Sequence, residues 1–230
     1  GEIVAKDGAM IRPARALYPF PSTARASVRL APPKADDFVI RGPGRQVTAQ
    51  VLAQRGRALR SRTLPLIEGI VPWQEDPDLA LATVWHRHGL NDNRSAVLIS
   101  GTGLRSGALA TTYAHDSHNL VIVGRNPTDM AAAARALIES GGGYVAVSNA
   151  HVRALAALPV AGVLAERPVT DLAQDFQSFI DAAAELGVTE NAIGLVTSLP
   201  LPVVPSYRPT DVGLVDVERQ AIIPAFEFGE

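Results

Sequence analysis

The sequence predicts a fold of the α+β class, a mixed α/β domain with a mostly antiparallel or mixed sheet and two main helices. Three observations carry this expectation. Strand-like apolar runs outnumber helical windows, adjacent runs are joined by short turns, and only two stretches carry long helical spacing. A doubly wound sheet would need a crossover helix between most strands.

Taken in chain order, Ile3-Val4-Ala5, the turn Lys6-Asp7-Gly8 and Ala9-Met10-Ile11 predict a hairpin with no earlier strand to pair with. Residues 12–45 carry Pro13, Pro19, Pro21, Pro32, Pro33 and Pro43 among Arg12, Arg15, Arg25, Arg29, Arg41 and Arg45. Proline at this density continues neither a helix nor a central strand, so this stretch reads as an extended arm with short strands near Ala26–Leu30 and Phe38–Ile40.

A folded domain is expected from Gln46 to the end. Gln46–Leu52, Ala80–His86, Ser95–Ser100, Ala108–Ala114 and Leu120–Val123 read as strands. Asn126-Pro127-Thr128-Asp129 starts the first helix: Asn126 caps, Pro127 fits the first helical position, and Asp129 meets the positive end of the dipole. Gly141-Gly142-Gly143 stops it. Tyr144–Val147 is the next strand. A second helix runs from about Thr170 to Leu186, with Leu172, Phe176, Phe179, Ile180 and Ala183 on one face. The last strands are expected near Ile193–Leu199 and Asp216–Ile223.

Composition narrows the function classes. Among 230 residues there is no Cys, which excludes disulfide scaffolds, Cys-based metal sites and Cys nucleophiles. A net charge of −2 gives no general grip on nucleic acid. The apolar stretch Leu195–Tyr207 is broken by Pro200, Pro202 and Pro205 and falls short of the roughly 20 residues a spanning helix needs. The opening residues have no signal-peptide pattern, so a soluble cytoplasmic protein, without nucleic-acid or membrane partners, is expected.

The one dense polar constellation is His115-Asp116-Ser117-His118-Asn119, holding two of five histidines between two apolar runs. A reversal needs only Gly, Asn or Asp, and five consecutive hydrogen-bonding side chains exceed that requirement. One reading is a loop tip aimed at a polar ligand. The other is a turn satisfying its own backbone through Asp116, Ser117 and Asn119. A metal site here would use His115 and His118, but no third ligand is evident nearby. A Ser-His-Asp triad is disfavoured because Ser117 lacks the Gly-x-Ser-x-Gly elbow.

His86-Arg87-His88 spells the His-x-His pair of many metal-dependent hydrolase barrels, without the barrel or further histidines that would complete it. A strand end with one imidazole packed is the simpler reading. Gly101-Thr102-Gly103 with Gly107 has the wrong spacing for a dinucleotide loop and precedes a strand, so it reads as a loop permitting close backbone approach.

On these residues the chain resembles the C-terminal part of bacterial adenine deaminase, in the amidohydrolase superfamily. The resemblance runs through Trp85-His86-Arg87-His88-Gly89, Gly101-Thr102-Gly103-Leu104-Arg105-Ser106-Gly107-Ala108 and Ala114-His115-Asp116-Ser117-His118-Asn119. It continues through Val123-Gly124, Asp129-Met130, Gly141-Gly142-Gly143, Leu158-Pro159-Val160-Ala161-Gly162, Leu199-Pro200-Leu201-Pro202-Val203-Val204-Pro205, Thr210-Asp211 and Gly213-Leu214-Val215-Asp216-Val217.

The resemblance implies a metal-dependent hydrolase converting adenine and water to hypoxanthine and ammonia. Its divalent metal (manganese or iron) lies in a (β/α)₈ barrel of about 250 residues that this chain does not supply. It divides the chain into 1–11, the end of a small β-sandwich; 12–45, a Pro/Arg-rich linker; and 46–230, the C-terminal domain. The metal ligands do not transfer, so no metal is expected on this chain, and the fragment alone is expected to be inactive. His115, Asp116, Ser117, His118 and Asn119 would bind substrate or position neighbouring loops at the barrel mouth. The expected partners are the barrel, adenine and further copies in a homo-oligomer. The alternatives are a non-catalytic structural or dimerising module and a free-standing purine-binding domain.

Overall fold

A computed structural model describes residues 1–12, 19–53 and 58–229; Pro13 and Arg15 of the arm lie outside the described residues. The predicted hairpin forms from β1 (Ala5–Lys6) and β2 (Ala9–Met10). Asp7 and Gly8 both have positive φ, 51° and 79°, the backbone that a tight two-residue hairpin turn requires.

The arm wraps the domain, but its two expected strands do not form. Short helical turns occupy Ser22–Arg25 and Ala35–Phe38. The Lys34 N–H donates to the Asp37 carboxylate at 2.7 Å, a local cap that competes with ladder pairing. The arm binds through single contacts instead. The Arg29 N–H donates to the Arg87 carbonyl at 2.8 Å, Arg135 donates to the Pro33 carbonyl at 2.8 Å, and Phe38 stacks on Trp85 with ring centroids 4.9 Å apart.

The main sheet is built from β3 (Gln46–Ala53), β4 (Ala58–Pro65), β5 (Leu79–Trp85), β6 (Arg94–Ser100), β7 (Ala108–Thr111), β8 (Leu120–Gly124), β9 (Gly143–Ser148), β10 (His151–Ala157) and β14 (Phe226–Phe228). Among the described residues it has nine strands in the order β10-β9-β7-β8-β5-β6-β3-β14, with β4 paired to β3. Every pairing is antiparallel except β3 with β6. A second, three-stranded sheet is formed by β11 (Tyr207–Thr210), β12 (Gly213–Asp216) and β13 (Ala221–Ile223).

The central strands are apolar on both faces because both are covered. Leu81, Leu98, Ile122 and Val145 point into one core with Met130, Ala133, Ala134 and Leu137 of α1 (Pro127–Ser140). The alternate residues Ala82, Val97, Val123 and Ala146 point into a second core. There they meet Phe179 and Ala183 of α2 (Val169–Glu185), Leu195 and Val196 of α3 (Ala192–Thr197), and Leu214 of β12. Complete burial of Phe179 contributes on the order of 2–3 kcal/mol.

The α1 start is as expected: Asn126 Oδ1 accepts from the Asp129 N–H at 2.8 Å, and Gly141 closes the helix at φ 77°. The segment around Ile193–Leu199 is corrected from strand to helix. Its β-branched residues suggested a strand, but Asn191 Oδ1 caps the Gly194 N–H at 2.8 Å, and Leu195 and Val196 reach the core side by side. Asp216–Ile223 divides into the end of β12 and β13, joined by a turn containing Gln220 at φ 52°. The strand β4 escaped the sequence reading because Arg60 and Arg62 interrupt its apolar pattern; such charges are usual on an edge strand.

Candidate functional site

Strand register brings two sequence motifs together. Trp85, the last residue of β5, pairs with Leu120, the first of β8. The His86-Arg87-His88 segment that continues β5 therefore lies beside the His115–Asn119 turn that leads into β8. Four of the five histidines thus gather at one end of the sheet.

The turn is held from several sides. The His118 N–H donates to the Ala114 carbonyl at 2.6 Å, and the His115 N–H donates to the Thr197 carbonyl at the end of α3 at 3.2 Å. Thr197 Oγ1 lies 2.7 Å from the Tyr144 hydroxyl. The Tyr113 ring lies 5.1 Å from the His115 ring and 5.3 Å from that of His118, and the two imidazoles are 5.7 Å apart. His118 has a φ of 49°, and the His115–Asp116 peptide is cis.

The side chains divide by exposure. Asp116 and Ser117 face solvent, His115 and His118 are half-buried, and Asn119 is buried at 2% exposure. Ser117 Oγ accepts from the Asn119 N–H at 3.4 Å, so part of the turn is self-satisfied, as one sequence reading expected. Asn119 Oδ1, His118 Nδ1 and His86 Nε2 are buried without a hydrogen-bond partner among the described residues. Buried polar atoms in folded proteins are usually paired, so each of these is an unmet hydrogen-bonding position.

Arg87 is the surprise of the site. It is 1% exposed, and its guanidinium reaches three chain segments. Nε donates to the His118 carbonyl, Nη1 to both the carbonyl and hydroxyl of Ser27 at 3.0 Å, and Nη2 to the Ala161 carbonyl at 2.9 Å. Among the described residues it forms no ion pair. Gly162 lies directly against it at φ 73°, where an added Cβ would stand 2.8 Å from the guanidinium carbon. Beside Arg87, the carbonyl of Ser117 lies 3.0 Å from His88 Nε2, and His86 Nδ1 lies 3.8 Å from the Asp211 carboxylate.

Burial works against protonation of two of the imidazoles, His118 and His88. Burial holds His118 below the ordinary value, reinforced by its neighbours His115 and Arg87. Burial also lowers His88, partly opposed by the Ser117 carbonyl. Arg87 is pushed down to about 10 by burial alone and stays charged at neutral pH. A neutral imidazole offers one donor and one acceptor nitrogen, a pair that suits the alternating edge of a planar heterocycle.

The same residues do not suit a divalent ion. Among the described residues no group of three or more His, Asp or Glu converges, and the His88 nitrogen nearest the turn already lies against a carbonyl.

A cavity of about 830 Å³ lies elsewhere, lined by Gly101, Gly103, Gly187, Thr189, Asn191 and Arg208 among others. It is an open depression, and the Asn191 amide oxygen at its rim is committed to the α3 cap. The close approach expected of the Gly101-Thr102-Gly103 loop is seen here: a Cβ on Gly103 would meet the Gly187 carbonyl oxygen at 2.7 Å.

The sequence reading singled out the turn and named the His-x-His segment, but did not join them. It missed the supporting roles of Arg87, Tyr113, Tyr144 and Thr197. The apolar run before His86-Arg87-His88 marked Arg87 as a charge leaving a buried strand, and that was the available signal.

Residues 57–221 match the family of the adenine deaminase C-terminal domain. Adenine deaminase 2 of Shouchella clausii is 39% identical over 214 residues, covering 90% of this chain and 37% of the relative. The adenine deaminase of Cereibacter sphaeroides is 39% identical over 206 residues, 87% of this chain and 36% of the relative. That of Serratia proteamaculans is 34% identical over 231 residues, 97% of this chain and 38% of the relative. The chain therefore spans a little over a third of the length of these curated relatives.

Proposed function

The chain belongs to the adenine deaminase C-terminal domain family, and from that premise we propose that it serves an adenine-hydrolysing enzyme by closing the substrate pocket with the His115–Asn119 turn. In this reading the catalytic barrel is contributed by the part of the relatives that this chain does not span, residues 1–11 end the small sandwich flanking that barrel, and 12–45 link it to the C-terminal domain. Exposed Ile3, Val4, Met10 and Ile11 on the hairpin support a covered position for the first segment.

The observation that carries the proposal is the set of unpartnered buried atoms at the turn. Asn119 Oδ1 and His118 Nδ1 are buried without hydrogen-bond partners among the described residues, while Asp116 and Ser117 are exposed at the tip. Leaving such atoms unpaired costs stability. Being buried, they would meet a bound purine only after the turn shifts, whereas the half-buried rings of His115 and His118 are partly open to one. The rings of His115, His118 and Tyr113 would exclude water above it.

The divalent metal of the family supplies water activation in this reading. Its ligands would come from the barrel, because the described residues do not fit a metal. The turn's part is to orient the base and exclude solvent.

Two assays test this together. In the complete enzyme, His115→Ala and His118→Ala should each lower kcat/KM for adenine about 10- to 100-fold, the range for one or two lost hydrogen bonds to substrate. The 230-residue chain alone should release no ammonia from adenine with or without added metal. Unchanged kinetics in both variants, or ammonia release by the isolated chain, would overturn the proposal.

A further inference from the structure

We infer that Arg87 is the positioning residue of the His115–Asn119 turn, setting the turn's height and angle through the His118 carbonyl rather than by touching any ligand. The inference rests on the turn being the working surface proposed above, and it assigns to the His86-Arg87-His88 segment a purpose that its His-x-His pattern does not suggest.

Burying a guanidinium is costly. An arginine at 1% exposure loses most of its hydration and ordinarily recovers it from a carboxylate. Here every observed acceptor is a carbonyl or hydroxyl on a different segment: His118 on the turn, Ser27 on the arm and Ala161 on the loop before Gly162. A carboxylate would satisfy the fork from one place. Three separate carbonyls make the fork a fixed-geometry joint, which the planar guanidinium suits and an ammonium does not.

The surroundings are shaped around it. Gly162 leaves room where any Cβ would collide with the guanidinium. The Ala161 N–H donates to the Ala24 carbonyl at 2.5 Å, and the Arg29 N–H donates to the Arg87 carbonyl at 2.8 Å, so backbone contacts also tie the arm to the loop and to Arg87. One residue along, His88 braces the Ser117 carbonyl at 3.0 Å. Two successive carbonyls of the turn are thus met from one strand end. Arg87 is itself too enclosed to meet a ligand.

The test separates local positioning from general stability, and separates both from the functional reading. In Arg87→Ala and Arg87→Lys, amide exchange at His118 and Asn119 should quicken by about tenfold or more. Exchange at Leu137 of α1 and Phe179 of α2 should stay within about twofold. Tens of millimolar guanidinium should restore protection in Arg87→Ala but not in His118→Ala, where the fork remains in place. In the complete enzyme the same variants should lose kcat/KM for adenine, and guanidinium should recover part of it in Arg87→Ala.

Unaltered exchange at His118 and Asn119, or a uniform rise across the whole chain without rescue, overturns the inference. Failure of both variants to fold does so too, since it makes Arg87 a purely structural residue. Locally quickened exchange with unchanged adenine kinetics leaves Arg87 as the positioning residue and removes the proposed role of the turn.

Discussion

At the scale of single residues, the site is governed by what burial does to protonation. His118 and His88 are both held below 6.5 in the fold, chiefly by burial. Between their folded and unfolded values the unfolded chain binds more protons, so stability rises with pH in that window. It is fully present above 6.5 and is lost as the pH falls through the lowered folded values. The urea midpoint of the chain should therefore drop between about pH 7.5 and 5.5, with a smaller drop in His118→Gln. Equal drops in both proteins would show that His118 contributes nothing to the acid limb. The cluster itself was legible as five consecutive polar side chains between apolar runs, and the structure places it at one end of the sheet, partly satisfied by its own backbone. Its support was not legible, because the contacts of Arg87 join segments 31, 60 and 74 residues away and leave no local pattern.

At the scale of elements, short-range chemistry was a good guide wherever it was decisive. The Asn126-Pro127 start and Gly141 stop of α1, and the Asp7-Gly8 turn, follow from side-chain caps and from which residues tolerate positive φ. The reading failed where packing overrode propensity, above all at α3, whose Ile193, Val196 and Thr197 favour a strand in isolation. This helix matters beyond its six residues, because the carbonyl of Thr197 holds the His115 N–H. Asn191→Ala removes its cap and places alanine at φ 42°, so it should cost about 1–2 kcal/mol in urea unfolding. Exchange at the His115 amide should quicken with it. A stability loss without any change at His115 would mean that the helix and the turn are mechanically independent.

At the scale of the whole molecule, a sheet covered on both faces brings His86-Arg87-His88 and the His115–Asn119 turn together at one end, where the loops after β5 and β7 meet. The fold class followed from counting strands against helices and noting how short their connections are. The edge strands and the path of the arm did not follow, since both depend on surfaces that only the assembled sheet provides. The most direct test is a crystal structure of the complete enzyme with a non-reacting purine bound. A ring nitrogen of His115 or His118, or the Asn119 amide, should lie within hydrogen-bond reach of the purine, directly or through one water, at no more than about 6 Å. A purine with the whole turn farther away than that, or one lodged in the depression beside Gly103 and Gly187, would contradict the account.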